Sequence, residues 1–268
     1  MFYLLFIILG GIWGSFSNVC IYRLPENQGI IAGRSFCPSC KNKIQWFDNI
    51  PILSFVLLKG KCRHCKSIIN LQYLIVELIS SVSFVTIYYF FGLTFTTLLL
   101  LILSVFFIII FFIDLKHFII PNVLTFPLMA IGLLKSFYPN LNKAIFPNYI
   151  NSLIGGFVGY SIIWLIIYFY KKVRKKEGMG LGDAKLMAAI GFWFGWVSIP
   201  IVIFVSSFVA LIFAVPSLIK KSLQMSSEIP LDLILLLDVF FTLLLPIKLN
   251  ICYFNGKVFI LECNCIIA

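Results

Sequence analysis

Two aspartates and four cysteines are the residues in this chain whose types and spacing could do chemistry. Asp114 closes the apolar run 104–113. Asp183 follows Gly178-Met179-Gly180-Leu181-Gly182 and precedes the small-residue helical segment 184–191. An acidic group at the edge of hydrocarbon carries a desolvation cost, which points to a water-lined cleft at each position. Two such carboxylates can hydrolyse an amide without a covalent nucleophile. One stays ionised and accepts a proton from water, while the other, protonated, assists the scissile carbonyl or the departing amine. Taken singly, either aspartate reads better as a helix cap or a solvated end. Their shared side of the membrane is what favours a pair. The glycines before Asp183 allow close backbone approach. They are no nucleotide loop, because the preceding strand, the full spacing and the terminal Lys–Ser/Thr pair are missing.

Cys37-Pro38-Ser39-Cys40 and Cys62-Arg63-His64-Cys65 are two C-x-x-C pairs in one polar segment. Each short spacing can form a knuckle that directs two sulfurs inward, and four thiolates suit tetrahedral Zn²⁺ with bonds of ~2.3 Å. Four sulfur ligands leave no open position for an activated water, so the expected zinc is structural. Two disulfides are the alternative, disfavoured by a cytoplasmic location. His64 reads as a surface or outer residue, not a fifth ligand. Cys20 reads as apolar packing, and Cys252, Cys263 and Cys265 carry no pairing signal.

The elements that must hold these groups are membrane helices. Of 268 residues, 61% are hydrophobic and 12% charged, against roughly 25% charged in a soluble domain. Apolar stretches near the ~20 residues needed to cross a bilayer recur along the chain, and backbone in lipid must satisfy its own hydrogen bonds. The expected fold is an all-α polytopic membrane protein of about eight spans, at 3–21, 74–91, 95–113, 120–137, 149–170, 185–198, 199–219 and 231–249. The sixth and seventh divide near Gly195, Trp196 and Pro200; seven spans with a re-entrant segment is the alternative. The first span lacks a basic leader and a clear cleavage site, which favours retention over removal as a signal peptide.

The formal charge of +11, from 21 basic and 10 acidic residues, sits mostly between apolar runs, so positive-inside bias and membrane lipid explain it before any nucleic acid does. The 23–73 segment and Lys171, Lys172, Arg174, Lys175 and Lys176 fall on one side, read as cytoplasmic. The loop from Lys135 to Asn148 and both chain ends fall opposite. This divides the chain into a first span (1–22), a cytoplasmic four-cysteine zinc-binding insert (23–73), a membrane core carrying both aspartates (74–249) and a tail (250–268).

In combination these features resemble the prepilin leader peptidases, or type IV leader peptidases. The resemblance runs through 14–25 (Gly-Ser-Phe-Ser-Asn-Val-Cys-Ile-Tyr-Arg-Leu-Pro), both C-x-x-C pairs, 48–54, 60–65, Glu77, Asp114, 120–125 and 178–186, about residues 10–195 in all. It implies a bifunctional enzyme of the bacterial cytoplasmic membrane, with Asp114 and Asp183 as the catalytic pair. The implied substrates are prepilins or pseudopilins carrying a short basic leader before a hydrophobic helix, cleaved near the cytoplasmic face. It also implies S-adenosylmethionine as donor for methylating the new N-terminus, although no glycine-rich Rossmann signature marks where it binds. Glu26, Asp48 and Glu77 are candidates to receive the basic leader, and Glu77 reads equally as a buried structural acid. The chain departs from the family where a Pro-Phe-Gly-Pro-Phe-like segment usually precedes the last span; here Glu228-Ile229-Pro230-Leu231-Asp232-Leu233-Ile234 stands instead. From another class, a proton- or cation-coupled transporter also uses intramembrane acids, and a zinc-stabilised membrane scaffold is the plainest reading.

Overall fold

The computed structural model describes residues 2–29, 35–138, 141, 145–175 and 180–219. Eight α-helices follow in order: α1 Phe2–Arg23, α2 Leu53–Leu57, α3 Leu71–Phe91, α4 Phe95–His117, α5 Asn122–Lys135, α6 Tyr149–Arg174, α7 Leu181–Phe194 and α8 Ser198–Ile219. Among the described residues, α1, α3, α4 and α6 are long and apolar enough to cross a membrane, while Asn122–Lys135 and Ser198–Phe208 are shorter apolar stretches. The chain is therefore an all-α, polytopic membrane protein. The expected span 231–249 and the tail 250–268 lie outside the described residues.

Helix boundaries follow local chemistry. The Asn70 side chain accepts from Gln72 N–H at 2.9 Å to start α3, and Thr94 accepts from Thr97 N–H at 3.2 Å to start α4, each supplying an acceptor that the first turn lacks. Gly92 and Gly195, at φ 60° and 81°, end α3 and α7. Glycine adopts this conformation without steric cost. The break at Gly195 separates α7 from α8 where the sequence suggested. The start of α7 does not match: the helix begins at Leu181, not near 185, so Asp183 lies inside its first turn. With 14 residues each, α5 and α7 rise only ~21 Å.

Two close helix pairs form the frame. α1 meets α3 through Gly10 and Gly14, where an added Cβ would stand 2.5 Å from Ser81 Cα and 2.7 Å from Glu77 Cα. α6 meets α7 through Gly155, Gly159 and Gly191. A Cβ on Gly191 would strike the Gly155 carbonyl oxygen, and one on Gly155 the Gly191 oxygen. Lipid tails provide no hydrophobic drive between helices, so small residues and close van der Waals contact carry such pairings. Hydroxyls add to them: Ser81 Oγ donates to Ile7 O at 3.2 Å, and Ser152 Oγ to Phe192 O at 2.5 Å.

α4 is the most enclosed of the four long helices and lies against α1, α3 and, more slightly, α5. α5 packs mainly on α7, where fully buried Trp193 fits over Gly132 and donates its indole N–H to Leu128 O at 2.8 Å. Two groups result, α1–α3–α4 and α5–α6–α7, with a seam between them. Lys135, at the junction of the expected span 120–137 and the loop after it, is the last residue of α5 and is buried, its ammonium 4.3 Å from the Phe146 ring centre and 5.5 Å from that of Trp193. Cation–π attraction offsets part of the cost of burying that charge.

The glycine contact between α6 and α7 is testable. Gly191→Ala is expected to lower stability by roughly 1–3 kcal/mol, as overpacking does, read as a lower melting temperature in detergent. Unchanged melting would show that the two backbones do not meet at this point.

Candidate active site and four-cysteine module

Asp114 occupies the last turn of α4, and the αL residue Phe118 closes that helix by donating its N–H to the Asp114 carbonyl at 2.9 Å. Asp183 is the third residue of α7. Its carboxylate accepts from Gly180 N–H at 3.0 Å, and its own N–H donates to Gly180 O at 3.3 Å. Gly180 has no side chain to cap the helix, so the aspartate caps it from within. Both side chains are buried, at 1% and 4% exposure. The two carboxylates are close enough for the charge of Asp114 to act on Asp183.

Asp114 Oδ2 and Asp183 Oδ1 have no hydrogen-bond partner among the described residues. Buried carboxylate oxygens are normally satisfied, and exceptions cluster at working sites. Asp114 belongs to one helix group and Asp183 to the other, so the pair spans the seam. Two neighbouring carboxyl groups, one ionised and one protonated, offer an accepting and a donating oxygen to a water. The tertiary structure places the two aspartates that the sequence singled out within range of each other's charge; Gly178 and Met179, which precede Asp183 in the glycine run, lie outside the described residues.

The four cysteines also converge. All four Sγ atoms lie within 4.8 Å of one another, and Cys37 and Cys65 are 3.8 Å apart. A tetrahedron with ~2.3 Å metal–sulfur bonds has edges of ~3.8 Å, so the sulfurs fit an ion of zinc's size. The two knuckles are built alike. Phe36 pairs with Lys43 and Lys61 with Ile68; Cys37 N–H donates to Asn42 O and Cys62 N–H to Ser67 O, both at 2.9 Å. The lysine after each pair, Lys41 or Lys66, turns the chain at φ 57° or 60°. This Cys-x-x-Cys-Lys repetition is visible in the sequence once the turn is known.

Burial favours the Cys37 thiol, but the N–H groups of Cys40 and Ser39, with the Ser67 hydroxyl, bring it down to about 6. Cys40 moves up to about 11: Asn42 N–H favours its thiolate, yet burial and contacts with Cys37, Cys65 and Cys62 favour the thiol. Metal binding to such sulfurs takes them as thiolates and releases their protons. Asp48 lies beside the second knuckle in a bidentate pair with Arg63, at 2.6 to 3.2 Å. Hydrogen bonds from Arg63 hold its carboxyl below the usual range.

Sequence reasoning missed how this module attaches to the membrane helices. Ile52 has φ 62° and ψ −51°, and Leu53 N–H donates to Pro51 O at 2.5 Å. This is a positive-φ γ-turn, a rare and strained form for any β-branched residue. Glu77 on α3 accepts the Ile52 N–H at 2.7 Å, while Pro51 packs 3.1 Å from the Cβ position of Gly11 on α1. Glu77 and Asp48 are thus engaged internally. Exposed Glu26 accepts from Gln28 at 2.5 Å.

Comparison with known proteins divides the chain between α3 and α4, one helix before the division in its packing. Residues 8–91 match the bacterial peptidase A24 N-terminal domain and residues 101–215 the type IV leader peptidase family. A prepilin leader peptidase/N-methyltransferase of Vibrio cholerae is 36% identical over 220 residues, covering 79% of this chain and 85% of that protein. Proteins of the same description from Pseudomonas aeruginosa (31% over 252 residues, 85% of each chain) and Neisseria gonorrhoeae (35% over 238 residues, 80% and 82%) are also similar. No solved structure matches.

The Glu77 attachment yields an expected outcome. Glu77→Ala leaves the Ile52 N–H unpaired and should ease opening of the 50–58 segment by roughly 1–3 kcal/mol, seen as faster amide hydrogen exchange there. Ile52→Gly, which relieves the turn, should slow exchange relative to wild type. Equal exchange in all three proteins would rule out a latch at this point.

Proposed function

This chain belongs to the type IV leader peptidase family, and on that premise we propose that Asp114 and Asp183 are its catalytic pair. The enzyme is a membrane aspartic endopeptidase that removes the basic leader from prepilin-like proteins at the cytoplasmic face of the bacterial inner membrane. It then methylates the new N-terminus with S-adenosylmethionine. One observation carries the reading: two buried carboxylates, one from each helix group, lie within range of each other's charge, and one oxygen of each has no hydrogen-bond partner among the described residues.

The chemistry follows from that geometry. One carboxylate takes a proton from water as the water oxygen adds to the scissile carbonyl carbon, and the other carboxyl gives its proton to the carbonyl oxygen. Collapse of the tetrahedral carbon breaks the C–N bond, and the amine leaves with the proton first taken from water. The substrate's hydrophobic helix enters the seam from lipid while its leader stays in water. Eight spans place the insert and both aspartates in the cytoplasm, in keeping with the basic segments that flank them. The 23–73 insert, the 74–249 core and the 250–268 tail are the working divisions.

Cys37, Cys40, Cys62 and Cys65 hold one zinc ion, which supplies folding energy to a module too small for its own apolar core. S-adenosylmethionine is a second substrate, and no residue is assigned to it.

Reconstituted with a prepilin, the wild-type protein should make one cut between leader and hydrophobic helix. Asp114→Asn and Asp183→Asn should each reduce cleavage by about 10²-fold or more, since an amide cannot carry the proton. Full cleavage by both folded variants sinks this catalytic pair. Methylation, followed by methyl transfer to pre-cleaved substrate, should survive both changes. In a separate measurement, elemental analysis should find one zinc per chain, with less in each Cys→Ser variant and a less stable insert. Unchanged zinc in all four variants would exclude the site.

A further inference from the structure

The charged residue nearest to Asp183 along α7 is Lys185, and it does not pair with the aspartate. Its ammonium donates to Asn122 Oδ1 at 2.7 Å and lies 5.5 Å from the Phe126 ring centre. Asn122 is the first residue of α5, reached from Asp114 by the short connection through Phe118, Ile119, Ile120 and Pro121. A second contact lies beside the first. A Cβ on Gly182 would stand 3.0 Å from Ile120 Cβ, so the residue before Asp183 abuts the same connection.

Asp183 is thus bracketed, at Gly182 and at Lys185, by two residues of the connection that leaves the Asp114 helix. The helices that bear the aspartates share little surface of their own, because α4 packs chiefly on α1 and α3, and α7 on α6 and α5. The carboxylates need a support that crosses the seam, and the connection supplies it. Only a group fixed from both sides holds a reacting water within the tolerance that hydrolysis demands. The ammonium also lies over the Phe126 ring, and this cation–π contact adds to the bond to Asn122 in holding Lys185.

We propose that Lys185 and Asn122 are positioning residues, a clamp across the helix seam that sets the separation of Asp114 and Asp183. This rests on the reading of those aspartates as the catalytic pair. Neither clamp residue touches substrate in this role. Their loss misplaces the carboxylates and leaves binding alone.

The test is steady-state cleavage of a prepilin by the full-length reconstituted protein, with melting temperature recorded for every variant. Lys185→Met, which keeps the apolar stem over Phe126, and Asn122→Leu should each lower kcat roughly 10- to 100-fold and leave KM unchanged. The double variant should be no worse than the weaker single, because both remove one bond. Lys185→Arg and Asn122→Asp, which preserve donor and acceptor, should recover most of the rate and keep the proposal testable if an apolar variant fails to fold. Wild-type kcat in the apolar variants, a raised KM at unchanged kcat, multiplicative losses in the double variant, or no recovery by the conservative pair would each overturn the clamp. Asp114→Asn and Asp183→Asn run alongside separate the two ideas. If both cleave fully, the catalytic pair is wrong; if both are inactive while the Lys185 and Asn122 variants match wild type, only the clamp is wrong.

Discussion

Asp114 and Asp183 are buried at the last turn of α4 and the first turn of α7, and the cost of keeping two carboxylates out of water constrains the structure around them. A buried carboxylate is costly unless its oxygens are hydrogen-bonded or paired. The protein lowers this cost sparingly. Asp183 receives one backbone N–H, from Gly180, while one oxygen of each carboxylate has no hydrogen-bond partner among the described residues. An arrangement that satisfied every lone pair would be more stable, but it would leave no oxygen free to bind a water.

A strained site needs a stiff surround, and glycine provides it. At Gly10 and Gly14, and again at Gly155 and Gly191, helices approach until no Cβ fits between them. Close backbone contact leaves no side chain to repack within the α1–α3 and α6–α7 pairs. Among the described residues, the seam between the two helix groups carries less contact than these pairs do. The connection from α4 to α5, with Ile120 against Gly182 and Asn122 on Lys185, is the crossing nearest the carboxylates.

The four-cysteine module obeys a different constraint. Its knuckles are held by turns and sulfurs, with Trp46, Phe47, Leu53 and Ile68 exposed around them, so apolar burial contributes little to its order. Its attachment to the membrane is correspondingly local: the strained turn at Ile52, held by Glu77, and Pro51 seated on Gly11. An unfavourable backbone conformation persists when its surroundings over-determine it. Here a carboxylate from α3 supplies the determining bond, which ties the aqueous module to the α1–α3 pair and through α3 to α4.

Much of this was legible in the residues alone. Uninterrupted apolar runs of span length can satisfy their backbone only as helices, so α1, α3, α4 and α6 fall where hydropathy puts them. The C-x-x-C spacing is short enough for local turn geometry to bring paired sulfurs together. Resemblance to a known family singled out Asp114 and Asp183. The start of α7 was not legible, because Gly180 offers no capping side chain and the cap comes from Asp183, inside the helix. Nor were the pairings of Glu77 with Ile52, 25 residues apart, or Lys185 with Asn122, 63 apart. Each depends on how one element is rotated and seated against another, which glycine contacts far from either residue decide. Sequence by itself determined which segments enter the membrane and which groups could react. Only the packing of those segments decided which groups meet, because side-chain reach is a few ångströms and helix placement is set by the whole bundle.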